Sequence, residues 1–209
     1  MKLYDYELSG NCYKIRLFLN ILGLKHDVQT VDFHPGREHK TAAFLAVNPL
    51  GQLPVLKDGG RVICDSKDIL IHLASGYDES GLWYPAPAHM QVAHWLAVAD
   101  EITASASAAR LCDTFFHDLD GIAARAAAHR LFRQIDEHLW FGERQGQDWL
   151  IPEAAPTLAD IACFPYIALS EEGGVSRLDY PAIRRWCDRI KRIKGFIPMP
   201  GIFPNSRAV

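Results

Sequence analysis

The chain is written in two patterns, and the change from one to the other near Gly76 constrains its fold more than any other feature. Up to that point short apolar stretches alternate with helical ones. Lys2 to Tyr6 reads as a strand, Cys12 to Leu22 as a helix stopped by Gly23, and Asp27 to Val31 as a second strand. Glu38 to Val47 predicts a helix ended by Asn48-Pro49. Pro54 to Lys57 and Arg61 to Cys64 predict short strands around the turn Asp58-Gly59-Gly60, and Ser66 to about Ser75 a closing helix. The order βαβαββα, a βαβ unit followed by a hairpin and a helix, predicts a mixed four-stranded sheet with helices on both faces.

Residues 78–87 carry Gly81, Pro85 and Pro87 and suit a linker between a first domain, residues 1–77, and a second, residues 88–209. In the second every pattern is helical, over about 88–111, 118–141, 157–170 and 181–193. Gly195 to Val209, with three prolines, reads as an irregular tail. Ala104 to Ala109 are all small. Close approach of another helix and space left for a ligand both explain them. Thr157 and Asp160 have capping-box spacing, which is a structural feature.

A chain of 209 residues buries a core without disulfides. Its five cysteines, at 12, 64, 112, 163 and 187, form no CxxC pair, which points to a reducing cytoplasm. Asp5 and Glu7 stand where a signal peptide needs an apolar core, and no apolar run reaches the roughly 18 residues of a membrane span. Lys and Arg number 22 against 25 Asp and Glu, for a net charge of −3, which excludes a protein built to neutralise phosphates. The one basic run, Arg184 to Lys194, has Ile183, Trp186, Ile190 and Ile193 at helical spacing beneath it and reads as a solvated helix face. Nine histidines form neither HExxH nor a Cys/His cluster, so no metal site is expected.

Chemistry is expected at three places. Leu8 to Lys14 joins the first strand to the first helix, where unpaired N–H groups and the helix dipole favour negative charge. Ser9 there can cap the helix or donate to an anion. Pro54 opens a predicted strand after Gln52-Leu53. A cis Leu53–Pro54 bond would let Leu53 present its N–H and C=O to an extended peptide. At the next strand-to-helix junction stand Asp65 and Ser66. Ser66 and the free amides suit a carboxylate and Asp65 an ammonium, together an amino-acid zwitterion; a plain helix cap explains them equally.

Together, at these spacings, the three features resemble the N-terminal domain of cytosolic glutathione transferases. Ser9 and Cys12 occupy the place of the thioredoxin-type CxxC, Gln52-Leu53-Pro54 looks like the family's cis-proline element, and Asp65-Ser66 like its γ-glutamyl site. Thr157 and Asp160 match the capping box of its helical domain, so the resemblance covers nearly the whole chain. It is closest to bacterial, theta-like members that activate the thiol with a serine.

The resemblance implies a thioredoxin-like first domain and an all-α second one. It gives the glutathione thiolate to Ser9, with Asn11 as a secondary donor, the main-chain contacts to Leu53, and the γ-glutamyl end to Asp65 and Ser66. Gln52 and His39 fall at the glycine carboxylate, where Lys40 can substitute. The electrophile pocket is expected among Leu8, Phe33, His34, Ala106 and Arg110. Tyr4, Tyr6 and Tyr13 do not stand where tyrosine-type members place their phenol. A free thiol, with a pKa of about 8.5, is made nucleophilic by a hydroxyl donor and a helix N-terminus. The expected reaction is conjugation of glutathione, as co-substrate with no covalently bound cofactor, to a small hydrophobic electrophile, carried out by a homodimer. Two alternatives stay open: a glutathione-dependent disulfide or peroxide reductase using Cys12, and a non-catalytic protein of the same fold. Cys64, Cys112, Cys163 and Cys187 read as core.

Overall fold

A computed structural model describes residues 1–115 and 117–203. The first part runs β1 (Lys2–Asp5), α1 (Gly10–Ile21), β2 (Asp27–Thr30), α2 (Ala42–Leu45), β3 (Val55–Asp58), β4 (Arg61–Ile63) and α3 (Ser66–Tyr77). The strands form one sheet in the order β2-β1-β3-β4, with β1 parallel to β2 and antiparallel to β3. Leu3 stands opposite Val28 on one side and Leu56 on the other. The chain is thus a thioredoxin-like mixed sheet followed by helices, as the alternation of patterns implied.

Two elements depart from the sequence expectation. The helix expected over Glu38 to Val47 is a 3₁₀ turn at Glu38–Lys40 and then the single turn α2. Thr41 breaks it: its backbone is extended and its hydroxyl accepts from the Phe44 N–H at 3.3 Å, so the residue starts a helix instead of continuing one. The helix expected over 88–111 is α4 (His89–Ile102), a π-helical stretch Thr103–Ser107, and α5 (Ala108–Phe115). The Thr103 and Ser105 hydroxyls donate to the carbonyls of Ala99 and Glu101, competition that loosens a helix.

Three helices complete the fold: α6 (Gly121–Glu143), α7 (Leu158–Ala168) and α8 (Pro181–Ile190). Every residue of α7 is buried, as suits a helix apolar on all sides. It packs against α1 and α4, so one apolar core runs from Leu3 and Phe18 through Phe164 to Trp186. A smaller cluster, Val31, Phe44 and Val55, fills the other face of the sheet beneath α2. The basic run lies on α8 and beyond: Ile183, Trp186 and Ile190 are buried, while Arg185 and Arg189 both pair with Glu143.

The irregular segment after Ile193 returns to α1. Gly195 takes a left-handed φ of 89°, and a Cβ on it would stand 2.9 Å from the Ile21 Cα. Its carbonyl accepts from Asn20 at 2.7 Å, and the Ile197 carbonyl accepts from the Tyr13 hydroxyl at 2.7 Å. The last part of the expected tail, 204–209, lies outside the described residues. Among the described residues no helix is long and apolar enough to cross a membrane.

Candidate active site

The turn between β1 and α1 is held by two arginines. Arg16 on α1 pairs with Asp5 and donates to the carbonyls of Tyr6 and Glu7, and Arg110 on α5 donates to the Leu8 carbonyl at 2.8 Å. Three successive carbonyls are thereby taken up, and the chain enters α1 with Ser9 extended as its N-cap. The Ser9 hydroxyl oxygen accepts from the Cys12 N–H at 3.2 Å, which leaves the hydroxyl proton for another partner. The preceding amide, Asn11 N–H, donates to the phenol oxygen of Tyr166 on α7 at 3.4 Å.

The second contributor is the turn before β3. Asn48 is buried; its side-chain nitrogen donates to the Gln52 carbonyl and its oxygen accepts from the Leu50 N–H. Gly51 is left-handed at φ 59°, where a Cβ would press on the His39 carbonyl. The Leu53–Pro54 bond is cis. At the third, Asp65 caps α3, its Oδ1 accepting from the N–H groups of Lys67 and Asp68. Its Oδ2 has no partner among the described residues, so capping and an exposed negative charge coexist in one side chain.

These elements surround a cavity of about 340 Å³, within the range of small-molecule sites. Leu8, Ser9, Asn11 and Phe33 border it, as do Gln52, Leu53, Asp65, Ser66 and Arg110. Nine sequence-chosen residues from five separate segments therefore meet. Asn11 has its Oδ1 buried without a partner among the described residues. His34 and His39 border an adjoining pocket of about 580 Å³ together with Arg37, Lys40 and Gln52. Phe33 and Gln52 belong to both. His39 stacks on Phe33 at 3.9 Å between centroids, and burial, then Lys40 and Arg37, pull its imidazole below the usual range. That leaves Lys40 and Arg37 as the positive side chains at this end.

Ala106 does not border the cavity. It is buried against the other helices, and its π-helical stretch presents Thr103 and Ser107 instead, with Arg110 and Leu111 one turn on. The small-residue run thus serves both of its readings: Ala106 and Ala109 pack closely while Ser107 faces the opening. Pro54 is buried behind Leu53. Cys12 is fully buried and off the cavity, and burial pushes its thiol up to about 12, so it presents no thiolate.

Several bordering residues were not expected at the site from the sequence. Tyr6 reaches the cavity from the end of β1, and burial pushes its phenol up, so it is a proton donor there. Tyr166 and His117 arrive from distant segments with no local motif. Cys64, expected in the core, is half-buried and borders the cavity, because it precedes Asp65 on the same strand end; Cys112 is half-buried too. Arg110 pairs with Glu172 and lies over the Phe115 ring, so the helical wall of the cavity carries charge and hydroxyls as well as apolar surface.

The family model for the glutathione S-transferase N-terminal domain matches residues 3–81. Glutathione S-transferase 1 of Dianthus caryophyllus is 40% identical over 82 residues, 39% of this chain and 37% of that protein. The chain thus spans under half the length of the first curated relatives it matches. Maleylacetoacetate isomerase of Pseudomonas aeruginosa is 29% identical over 204 residues, 90% of each chain. A glutathione S-transferase of known structure from Pseudomonas fluorescens superposes with a TM-score of 0.81 at 29% identity, covering 95% of this chain and 98% of that one.

Proposed function

We propose, because this chain belongs to the cytosolic glutathione S-transferase family, that it binds glutathione in the cavity at the start of α1 and activates its thiol with Ser9. The carrying observation is that Ser9 borders the cavity with its oxygen engaged by the Cys12 N–H, so that its proton can turn from the neighbouring Cys12 sulfur to a sulfur in the cavity. The γ-glutamyl ammonium meets Asp65 Oδ2 and its carboxylate meets Ser66. Leu53 contacts the cysteinyl unit through its main chain, and Gln52, His39 and Lys40 face the glycine carboxylate. The hydroxyl and the α1 N-terminus stabilise the thiolate over the thiol, which lowers the thiol's pKa from about 8.5 toward neutrality. The thiolate then attacks an electrophile held against Leu8, Phe33 and Arg110, so the protein supplies activation and proximity. Asn11 is a secondary donor. The division at residues 78–87 and a homodimer belong to the same reading.

A second reading, glutathione-dependent isomerisation, is favoured by the likeness to maleylacetoacetate isomerase along most of the chain. In it the thiolate adds to a conjugated double bond to give an enolate, rotation follows about the bond made single, and elimination returns the thiolate. The cavity wall of Thr103, Ser107 and Arg110 suits such a polar substrate.

Retention on immobilised glutathione, with a thermal shift at millimolar glutathione, tests binding; neither effect would end both readings. Ser9→Ala is then compared with Cys12→Ala on a chromogenic aryl halide, on a cis-configured α,β-unsaturated keto acid and on a mixed disulfide. Ser9→Ala is expected to lose at least about tenfold in kcat/KM, with Cys12→Ala unchanged. Loss in the cysteine variant alone, on the disulfide, would transfer the chemistry to Cys12.

A further inference from the structure

We infer that Tyr166 is a second donor to the reacting sulfur, its phenol meeting the same atom as the Ser9 hydroxyl but reaching it from α7. The inference rests on the reading of the cavity as a glutathione site and adds a residue to it. Tyr166 is 7% exposed and stands on a helix buried on every side. Its ring lies so close to Gly10 that a Cβ there would stand 2.7 Å from Cε1 and 2.8 Å from Cζ. The phenol oxygen accepts from the Asn11 N–H, so its position is fixed at the first turn of α1. Its proton has no acceptor among the described residues, and the side chain borders the cavity.

The arrangement repeats that of Ser9 one residue earlier along the helix. Two consecutive amides, Asn11 N–H and Cys12 N–H, each go to a hydroxyl oxygen, which leaves each hydroxyl a proton that can be turned to the cavity, that of Ser9 from the Cys12 sulfur beside it. A hydroxyl that already accepts a hydrogen bond is polarised and donates more strongly. An anion seated at this helix start therefore meets two polarised O–H donors as well as the positive end of the helix. Tyr6 also borders the cavity, but its ring is turned onto Phe33, 5.5 Å between centroids, and makes no contact with the helix start among those described. Phenylalanine at 166 would fill the space over Gly10 equally well, so packing does not require the hydroxyl.

The test is a titration of the glutathione thiol in the binary complex, followed by thiolate ultraviolet absorbance, in the wild type, Ser9→Ala, Tyr166→Phe, Tyr6→Phe and the Ser9→Ala/Tyr166→Phe pair. A hydrogen bond to an anion is worth roughly a tenfold shift in ionisation. Tyr166→Phe is expected to raise the titration midpoint by about one pH unit, with a further rise in the pair. Its kcat/KM should fall about tenfold near pH 6 and recover above about pH 9, where the thiol ionises unaided. A merely structural tyrosine would give a loss independent of pH. An unshifted midpoint in Tyr166→Phe beside a shifted one in Ser9→Ala overturns the inference and leaves the proposed function standing. A shift in Tyr6→Phe alone overturns it as well. No glutathione binding by the wild type overturns both. If Tyr166→Phe melts early, Gly10→Ala, which displaces the phenol without removing it, should give the same upward shift.

Discussion

The ring of Tyr166 packs against Gly10 so closely that a methyl group on the glycine would stand 2.7 Å from it. Gly10 is the first residue of α1, where alanine would otherwise be the better helix former. Gly10→Ala should therefore destabilise the protein, by about 1–3 kcal/mol in denaturant unfolding, through overpacking and not through the backbone. Combining it with Tyr166→Leu should cost less than the two changes added together, because the smaller side chain makes room. Strict additivity would show that the contact is not the cause.

Thiol reactivity offers a check on the cysteines. Cys12, Cys163 and Cys187 are buried, and burial pushes the Cys12 thiol up to about 12, the Cys187 thiol up to about 11, and the Cys163 thiol up as well. Cys64 and Cys112 are half-buried. An aromatic disulfide reagent near neutral pH should modify Cys64 and Cys112 in the native protein and the other three only on unfolding. Glutathione should slow the reaction of Cys64, which borders the cavity, and leave Cys112 unaffected. Rapid labelling of Cys12, read by peptide mass, would contradict its burial.

Asp160 joins three parts of the chain. Its carboxylate accepts from the Thr157 N–H at 2.9 Å, the Leu150 N–H at 3.1 Å and the Trp186 indole at 2.8 Å, all buried. Removing it orphans these donors together, so Asp160→Ala should lower the unfolding free energy by at least about 3 kcal/mol. Asp160→Asn keeps one acceptor oxygen and should recover part of that loss. A loss under about 1 kcal/mol for the alanine variant would mean that water replaces the carboxylate.

Lys14 is 2% exposed on α1, and burial pushes its ammonium down to about 8, against the opposing pull of Cys163, Asp100 and Asp65. In the unfolded chain a lysine titrates near 10.4, so between about pH 8 and 10 the unfolded state holds the extra proton. Raising the pH through that window then favours the folded state. Lys14→Met, of similar length and uncharged, should be more stable than the wild type at pH 7, by on the order of 2 kcal/mol. The gap should close as the pH approaches 10. A gap that stays constant with pH would show that Lys14 keeps an ordinary affinity for its proton.

The parts of the site that could be read in advance are those whose geometry is local. A serine before a helix after a strand, a proline opening a strand and an acid-serine pair at a second strand-to-helix junction each carry their structural meaning within a few residues, and Ser9, Leu53, Asp65 and Ser66 do meet at one cavity. Tyr166 could not be found that way. Its bond to Asn11 spans 155 residues, and on α7 it is one apolar position among eleven that are all buried. Arg110 bordered the cavity as expected, but its bond to the Leu8 carbonyl depends on how helix and sheet pack. The misplacement of Ala106 has a nearer cause. A uniform helical period carried through Thr103 and Ser105 ignores hydroxyls that take backbone carbonyls and widen the turn, which changes the face each later residue shows.

The return of Gly195 and Ile197 to α1 sets an order of events in synthesis. Two polar side chains of the first helix, Asn20 and Tyr13, find partners made 175 and 184 residues later, and its apolar face also awaits α7. A nascent chain stopped after α3 would therefore carry an uncovered helix face, and completion of the sheet-bearing part waits until Gly195 and Ile197 have been made.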